Sequence, residues 1–259
     1  MIPALAQRAG RIQPSLFSLE HMTEEAISFL LQHEPPEGYF VGFSGGKDSI
    51  VTEHLCRMAG VKFAAGYNVT TIDPPEVVRF IRRHYPQVEF LRPEMTFLQG
   101  VIKNGPPKIK ERWCCRLLKE EPGKKHYLAK YTVLGIRAEE SPSRAARGRI
   151  SQQGKRKPRY EYHPIYHWRE WHIWAFIDTH NLPYPRLYDE GFGRIGCIVC
   201  PFIMHANGKK LALSRERWPK MFAAFERAAE KWHDTRTPGE GYENETFEEY
   251  IAAYYRGFE

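Results

Sequence analysis

Apolar residues along this chain follow two periods. Unbroken apolar runs at Tyr39 to Phe43, Val61 to Asn68, Val88 to Leu91 and Tyr131 to Ile136 are bounded by turn residues. They read as strands buried on both faces, and Tyr160 to Tyr166 as a further strand. Elsewhere the apolar residues recur at helical spacing. Thr23 caps an expected helix through Leu31, which Pro35-Pro36 ends. Val51, Leu55 and Met58 share one face before Gly60. Asp73 is the expected cap of a helix that starts at the following prolines and carries Val77, Val78, Phe80 and Ile81. Arg112 to Arg116 lies in a helical stretch expected to stop at Pro122. Trp171, Ile173, Trp174, Phe176 and Ile177 form an aromatic stripe that reads as core. Trp218, Met221, Phe222, Phe225, Ala229 and Trp232 line another helix. A last one, with Phe247, Tyr250, Ile251 and Tyr254, opens at a Thr246–Glu249 capping box. Strands alternating with helices predict an α/β fold: a doubly wound, mostly parallel sheet with helices on both faces, plus a C-terminal helical extension. Residues 1–22 show no clear period and read as an arm, 23–205 as the main domain and 206–259 as the extension. No repeat or low-complexity segment is evident.

The first apolar run feeds directly into Ser44-Gly45-Gly46-Lys47-Asp48-Ser49 and then into the Val51 helix. A strand that turns through two glycines into a helix N-terminus makes an anion site. The glycines admit close backbone approach, first-turn N–H groups are unpaired, and the helix dipole favours negative charge. Ser44 and Ser49 add hydroxyl donors, and Lys47 adds a charge suited to phosphate oxygens. Asp48 suits Mg²⁺, directly or through water. The G-x-x-x-x-G-K-[ST] spacing of a Walker loop is absent. An ordinary strand–helix turn is the plain alternative.

At 259 residues the chain can bury a full core in one domain with an appendage. No apolar run approaches membrane-spanning length, and no secretory leader pattern is evident, so the expectation is a cytoplasmic protein without membrane partners. Net charge is +7, which favours polyanionic partners. Its placement is more telling. Arg144, Arg147, Arg149, Lys155, Arg156, Lys157 and Arg159 occupy a stretch without an acid. Two readings stand: a solvated basic loop, or a surface for nucleic acid or a phosphorylated substrate.

Of five cysteines, four fall into two close pairs, Cys114-Cys115 and Cys197-x-x-Cys200. In a reducing compartment paired cysteines suggest a metal centre before a disulfide. A vicinal pair is less usual for a lone zinc, and four thiolates suit an iron–sulfur cluster equally well. Arg112, Arg116 and Arg194 would offset its negative charge. Buried free thiols or a redox dithiol are the alternatives. Cys56 reads as simply packed.

The hexamer resembles the PP-loop of the ATP pyrophosphatase superfamily, which cleaves ATP between the α- and β-phosphates. The longer order is PP-loop, Cys-Cys, G-I-R-x-x-x-S-x-x-R (Gly135 to Arg144), a Trp-rich helix, L-P-Y-x-x-L-Y-D and G-C-x-x-C. It resembles the phosphoadenylyl-sulfate/adenylyl-sulfate reductase family over roughly residues 24–205. The resemblance implies an adenine nucleotide alpha hydrolase-like fold and a nucleotide partner, ATP or adenylyl sulfate. It implies a 4Fe–4S cluster on Cys114, Cys115, Cys197 and Cys200, and nucleotide- or sulfate-facing roles for Arg137 and Arg144. Two departures matter. No cysteine follows Cys200 to act as the reductase nucleophile, and the loop keeps the full S-G-G-K-D-S signature. Both point to the ATP-using, iron–sulfur DndC-like members. The expectation is therefore an enzyme that adenylates an oxygen and assists sulfur transfer, with a sulfur-donor protein such as a cysteine desulfurase as partner. Lys47, Asp48, Arg137 and Arg144 are its expected catalytic residues. A sulfonucleotide reductase using an external thiol and a non-catalytic nucleotide- or nucleic-acid-binding iron–sulfur subunit are the alternatives.

Overall fold

The computed structural model describes residues 16–204, 208–235 and 246–256. The chain divides into two units that interleave along the sequence. Of the described residues, one comprises 16–67, 76–90 and 123–195, and the other 68–75, 91–122, 196–204, 208–235 and 246–256.

The first unit holds a six-stranded sheet. Its strands are β1 (Tyr39–Gly42), β2 (Phe63–Asn68), β3 (Glu89–Leu91), β4 (Tyr131–Val133), β5 (Ile150–Gln153) and β6 (Arg159–Tyr162). Their spatial order is β3-β2-β1-β4-β6-β5. β1 pairs in parallel with β2 and β4, with Val41 opposite Ala65 on one side and Val133 on the other. β6 runs parallel to β4, whereas β5 is antiparallel to β6. Tyr39, Phe40, Val41 and Val133 are buried, as the apolar runs require of central strands. The chain leaves β1 towards β2, and β4 returns on β1's other side. The carboxyl ends of β1 and β4 thus mark the point where strand order reverses, where open α/β sheets bind ligands.

Helices α1 (Leu16–Gln32), α2 (Lys47–Ala59), α3 (Pro75–His84) and α5 (Glu170–Thr179) accompany this sheet. α1 starts seven residues before the expected cap, so the boundary drawn at residue 22 falls inside a helix. Thr23 is mid-helix, and its hydroxyl donates to the carbonyl of Leu19, four residues back. Leu19, Ala26, Phe29 and Leu30 bury one face of α1, and the Tyr39 hydroxyl ties Leu30 O to β1 at 3.0 Å. α2 buries Ile50, Val51, Leu55 and Cys56, each side chain of Leu or Ile size contributing about 1.5–3 kcal/mol. Gly60 ends α2 as expected, whereas Met58 is exposed.

The His54 and His180 rings lie 5.2 Å apart, with Phe176 4.2 Å from His180. Burial holds both imidazoles below their ordinary pKa, and for His54 the neighbouring His180 adds to the effect. Above about pH 6.5 both are neutral in folded and unfolded chains alike. As pH falls below that value the unfolded chain takes up protons that the fold resists. Stability should therefore drop between about pH 6.5 and the lowered folded values. His54→Phe is expected to flatten this acid limb when Tm is followed from pH 7.5 to 5.5. An unchanged slope would show that the pair does not set it.

The second unit is helical. It contains α4 (Phe97–Asn104), α6 (Gly208–Arg217), α7 (Pro219–His233) and α8 (Phe247–Arg256). Thr96 and Gln99 cap α4 reciprocally, and Phe97 packs on Trp113 (5.8 Å) and Phe225 (6.1 Å). The Trp113 indole N–H donates to Gly105 O, and the Tyr254 hydroxyl to Pro107 O at 2.9 Å. Residues 208–235 and 246–256 thus share a core with residues 97–113. The Thr246–Glu249 capping box is present. Cys115–Glu120 forms a π-helical turn that runs on into Glu121–Lys124, so Pro122 lies inside the helical stretch instead of ending it. The Glu121 N–H reaches back five residues to Arg116 O. A turn widened in this way accommodates a ring that would clash in a regular α-turn. Among the described residues no helix is long and apolar enough to cross a membrane.

Candidate active site

The Ser44–Ser49 loop joins β1 to α2. Gly45 has φ +72°, and a Cβ there would meet Ile81 and Val77 of α3 within 3.0 Å. Only glycine fits both the backbone and the space. Gly135, just past β4, is equally constrained: a Cβ would lie 2.8 Å from the Asp48 backbone. That contact draws the segment after β4 against the start of α2.

The loop's hydroxyls serve largely to hold its shape. Ser49 Oγ donates to Gly46 O at 2.8 Å and accepts from the Ser44 N–H at 3.1 Å, and the two serine hydroxyls are 3.2 Å apart. Ser44 remains exposed. The α2 N-terminus has no side-chain cap from Gly46, but the Lys47 N–H donates to the Tyr188 hydroxyl at 3.0 Å.

Lys47 is 4% exposed, unusual for a lysine. Its Nζ lies 3.4 Å from Asp48 Oδ2 and 3.7 Å from Glu170 Oε1, and 5.5 Å from the Tyr188 ring centre. Arg137, also buried, donates from Nε to Asp48 Oδ1 at 2.6 Å and pairs with Glu139. Burial lowers the Arg137 pKa, but the three carboxylates around it outweigh that and raise it. The Asp48 carboxylate is therefore spanned by two cations. Its two oxygens face Lys47 and Arg137 separately, Oδ2 towards Lys47 and Oδ1 towards Arg137.

These residues open onto a cavity of about 560 Å³, lined by Lys47, Arg137, Glu139, Glu140, Arg169, Glu170, Trp171, Gly193 and Arg194. Arg144 is not among its lining residues. It pairs with Glu140, which is, and burial together with the charge of Arg194 holds its pKa down. The cavity thus combines four cations with three carboxylates beside a helix N-terminus, a setting for a polyanion carrying polar substituents.

Sequence reasoning missed part of this wall. Trp171 was expected in the core but stacks on His172 at 3.5 Å and faces the cavity, while Ile173, Phe176 and Ile177 fill the core. Trp174 packs instead on Tyr184 and Tyr188. Arg194 was expected beside the cysteines, and it lines the cavity. Glu170 carried no local signal. Tyr188 lay in the L-P-Y-x-x-L-Y-D motif, but nothing in that pattern aimed it at Lys47.

The four cysteines all belong to the second unit. Cys114 hydrogen-bonds Cys115, which pushes the Cys114 thiol up and the Cys115 thiol down. Cys197 and Cys200 lie within electrostatic range of Cys114. Burial pushes Cys197 up to about 12, partly offset by Lys119. Lys119 is in turn raised, chiefly by Cys197 and also by Asp73. Asp73, expected as a helix cap, lies two residues ahead of α3, which begins at Pro75, and its charge also acts on Cys197 and Lys119. The Ile198 N–H donates to Ile72 O at 2.9 Å, anchoring the Cys-x-x-Cys turn. Among the described residues no three Cys, His, Asp or Glu side chains converge on a point suited to one metal ion. Arg112 lies over the Phe202 ring at 5.1 Å and also favours the Cys115 thiolate. Cys56 is fully buried, as expected.

The basic stretch runs from a short helical turn at Pro142–Ala145 through β5 to the start of β6, with β5 not anticipated. Acids from elsewhere answer three of its charges: Arg144 pairs with Glu140, Arg147 with Glu161, and Arg149 with Glu25 while stacking on Phe29 at 4.1 Å. Lys155, Arg156 and Lys157 are exposed at the tip.

Comparison with known proteins accords with this geometry. A phosphoadenylyl-sulfate reductase from Candida auris, solved as a phosphate complex, superposes with a TM-score of 0.53 at 18% identity, over 73% of this chain and 98% of that one. An FMN adenylyltransferase from Candida glabrata, solved with FMN and an ATP analogue, gives 0.52 at 17% identity, over 75% and 68%. These likenesses establish the fold, a PP-loop-type sheet. An uncharacterised protein of Methanocaldococcus jannaschii is 33% identical over 212 residues, 78% of this chain and 43% of its own length. The adenosine 5'-phosphosulfate reductase of Allochromatium vinosum is 30% identical over 210 residues, 73% and 79% of the two chains. The chain spans about half the length of several curated relatives it matches. The phosphoadenosine phosphosulfate reductase domain matches residues 38–202, and with a relative 30% identical across most of both chains, the chain belongs to the phosphoadenosine phosphosulfate reductase family.

Proposed function

We propose that this protein is an ATP pyrophosphatase-type enzyme that adenylates a substrate oxygen and assists a sulfur transfer. The observation that carries the reading is the buried Lys47 at the N-terminus of α2, oriented by Asp48 beside Arg137. In this reading the loop backbone and Lys47 receive the β- and γ-phosphates. An acceptor oxygen attacks the α-phosphorus, the bond from phosphorus to the α–β bridging oxygen breaks, and pyrophosphate leaves. Negative charge grows on that leaving group, where a cation held in a site with little water stabilises it most. Arg137, on the other side of Asp48, meets the α-phosphate. A sulfur nucleophile, delivered by a donor protein such as a cysteine desulfurase, then displaces AMP.

Cys114, Cys115, Cys197 and Cys200 would hold a 4Fe–4S cluster. The donor set is all thiol and mutually interacting, a composition that suits an iron–sulfur cluster. When bound, such a cluster supplies redox or charge-stabilising chemistry. The protein's own part is to hold the thiolates with Lys119 and Arg112 nearby. This pairing of loop and thiols is the basis for grouping the chain with DndC-like members.

A second reading rests on the similarity to the Allochromatium vinosum reductase: reduction of adenylyl sulfate by an external thiol. Release of AMP and pyrophosphate from ATP, set against release of sulfite from adenylyl sulfate, decides between them. The basic hairpin tip offers Lys155, Arg156 and Lys157 to a nucleic-acid acceptor, whereas Arg144, Arg147 and Arg149 pair with acids within the fold.

A further inference from the structure

The phosphate loop has one buried partner that the family resemblance does not assign. Tyr188 sits in a short 3-10 turn, Arg186–Tyr188, in the same loop that carries Gly193 and Arg194 to the cavity. It is 7% exposed. Trp174 packs edge-on to its ring at 5.1 Å, and Tyr184 lies 6.5 Å away. That packing sets the direction of the hydroxyl. The oxygen accepts the Lys47 N–H at 3.0 Å and would be 3.3 Å from a Cβ at Gly46. It therefore stands among the first-turn donors of α2.

A phenol has one proton to give as well as lone pairs to receive. The hydroxyl's acceptor role is taken by the Lys47 N–H, and among the described residues no acceptor is found for its proton. A buried hydroxyl with an unspent proton, 3.0 Å from a phosphate-loop N–H, has its complement in an anionic oxygen. Burial raises the Tyr188 pKa, so the proton stays in place across the working pH range.

We propose that Tyr188 is a phosphate-binding residue of this loop, donating its hydroxyl proton to a terminal phosphate oxygen of the bound nucleotide and holding it against the α2 N-terminus. The ligand class is a di- or triphosphate group, represented most simply by inorganic pyrophosphate. The inference rests on the reading of Ser44–Ser49 as a phosphate cradle. The same tyrosine connects occupancy of the cradle to the loop that bears Arg194.

Tyr188→Phe removes the hydroxyl and keeps the ring in its aromatic setting. The probe is Mg-free inorganic pyrophosphate, with binding read by calorimetry and by the rise in Tm it produces. A hydrogen bond to a charged oxygen predicts that Tyr188→Phe binds pyrophosphate about 10- to 100-fold more weakly than wild type. Tyr184→Phe, which removes a neighbouring hydroxyl that faces Asp189, should bind it unchanged. Tighter binding by Tyr188→Phe would mean that the hydroxyl competes with phosphate for the Lys47 N–H, and would overturn the proposal. Unchanged binding, or a lowered Tm without ligand and the same pyrophosphate affinity, would leave Tyr188 a packing residue and also overturn it. If wild type binds pyrophosphate and Lys47→Ala does not, the cradle stands whatever Tyr188 does. If wild type fails to bind pyrophosphate, both the cradle and this inference fall.

Discussion

Lys47→Ala is expected to lower AMP and pyrophosphate formation from ATP by about 10²–10³-fold, the scale seen when a single group that stabilises transition-state charge is removed. The fold should survive. Asp48 keeps its 2.6 Å bond from Arg137, so no buried carboxylate is left without a cation. Glu170, the other partner, is half-exposed and is readily solvated. This separates Lys47 from Arg137, whose loss would strip Asp48 of its tighter partner and cost about 3–5 kcal/mol of stability if the pair behaves as buried. The variant should therefore keep wild-type far-UV circular dichroism and a nearly unchanged Tm while losing turnover. Equal AMP production by the variant would remove Lys47 from the mechanism.

Cys197→Ser should have an equally large effect on a different property. Wild-type protein purified without oxygen is expected to be brown and to carry about four irons per chain, the content of a Cys₄-held cubane. The serine variant should lose the colour and the iron, and with them the stability that a bound cluster lends the fold that binds it. The Cys-x-x-Cys turn is pinned by a backbone bond from Ile198 to Ile72 and by the buried Ile198 and Val199 side chains. The variant should accordingly melt lower without unfolding outright. A colourless wild-type protein with one zinc per chain would contradict the cluster assignment.

The strands and the glycine turn from β1 into α2 were legible because their signals are local. A buried central strand must be apolar throughout, and a close approach such as that of Gly45 to Ile81 admits no other residue. β5 was invisible for the complementary reason. It is an edge strand, Ile150-Ser-Gln-Gln, mostly exposed, and the antiparallel ladder to β6 holds it without hydrophobic alternation. A polar residue with two local uses was misread: Thr23 can cap a helix or bond back within one, and here it bonds back to Leu19 O. The long-range members of the site were the least legible. Glu170 and Tyr188 meet Lys47 only because α5 and the loop after it fold back over the β1 and β4 ends. Arg194 was drawn towards the cysteines by nearness in sequence, and the fold takes it to the cavity.

The central claim is that the loop splits ATP between its α- and β-phosphates. The most direct test incubates the iron-loaded protein with ATP, Mg²⁺ and candidate acceptors, and counts all nucleotide and phosphate products. The account predicts AMP and pyrophosphate in equal amounts, rising with the right acceptor and lost in Lys47→Ala. Formation of ADP and inorganic phosphate would contradict it, as would intact ATP alongside sulfite released from adenylyl sulfate and a thiol.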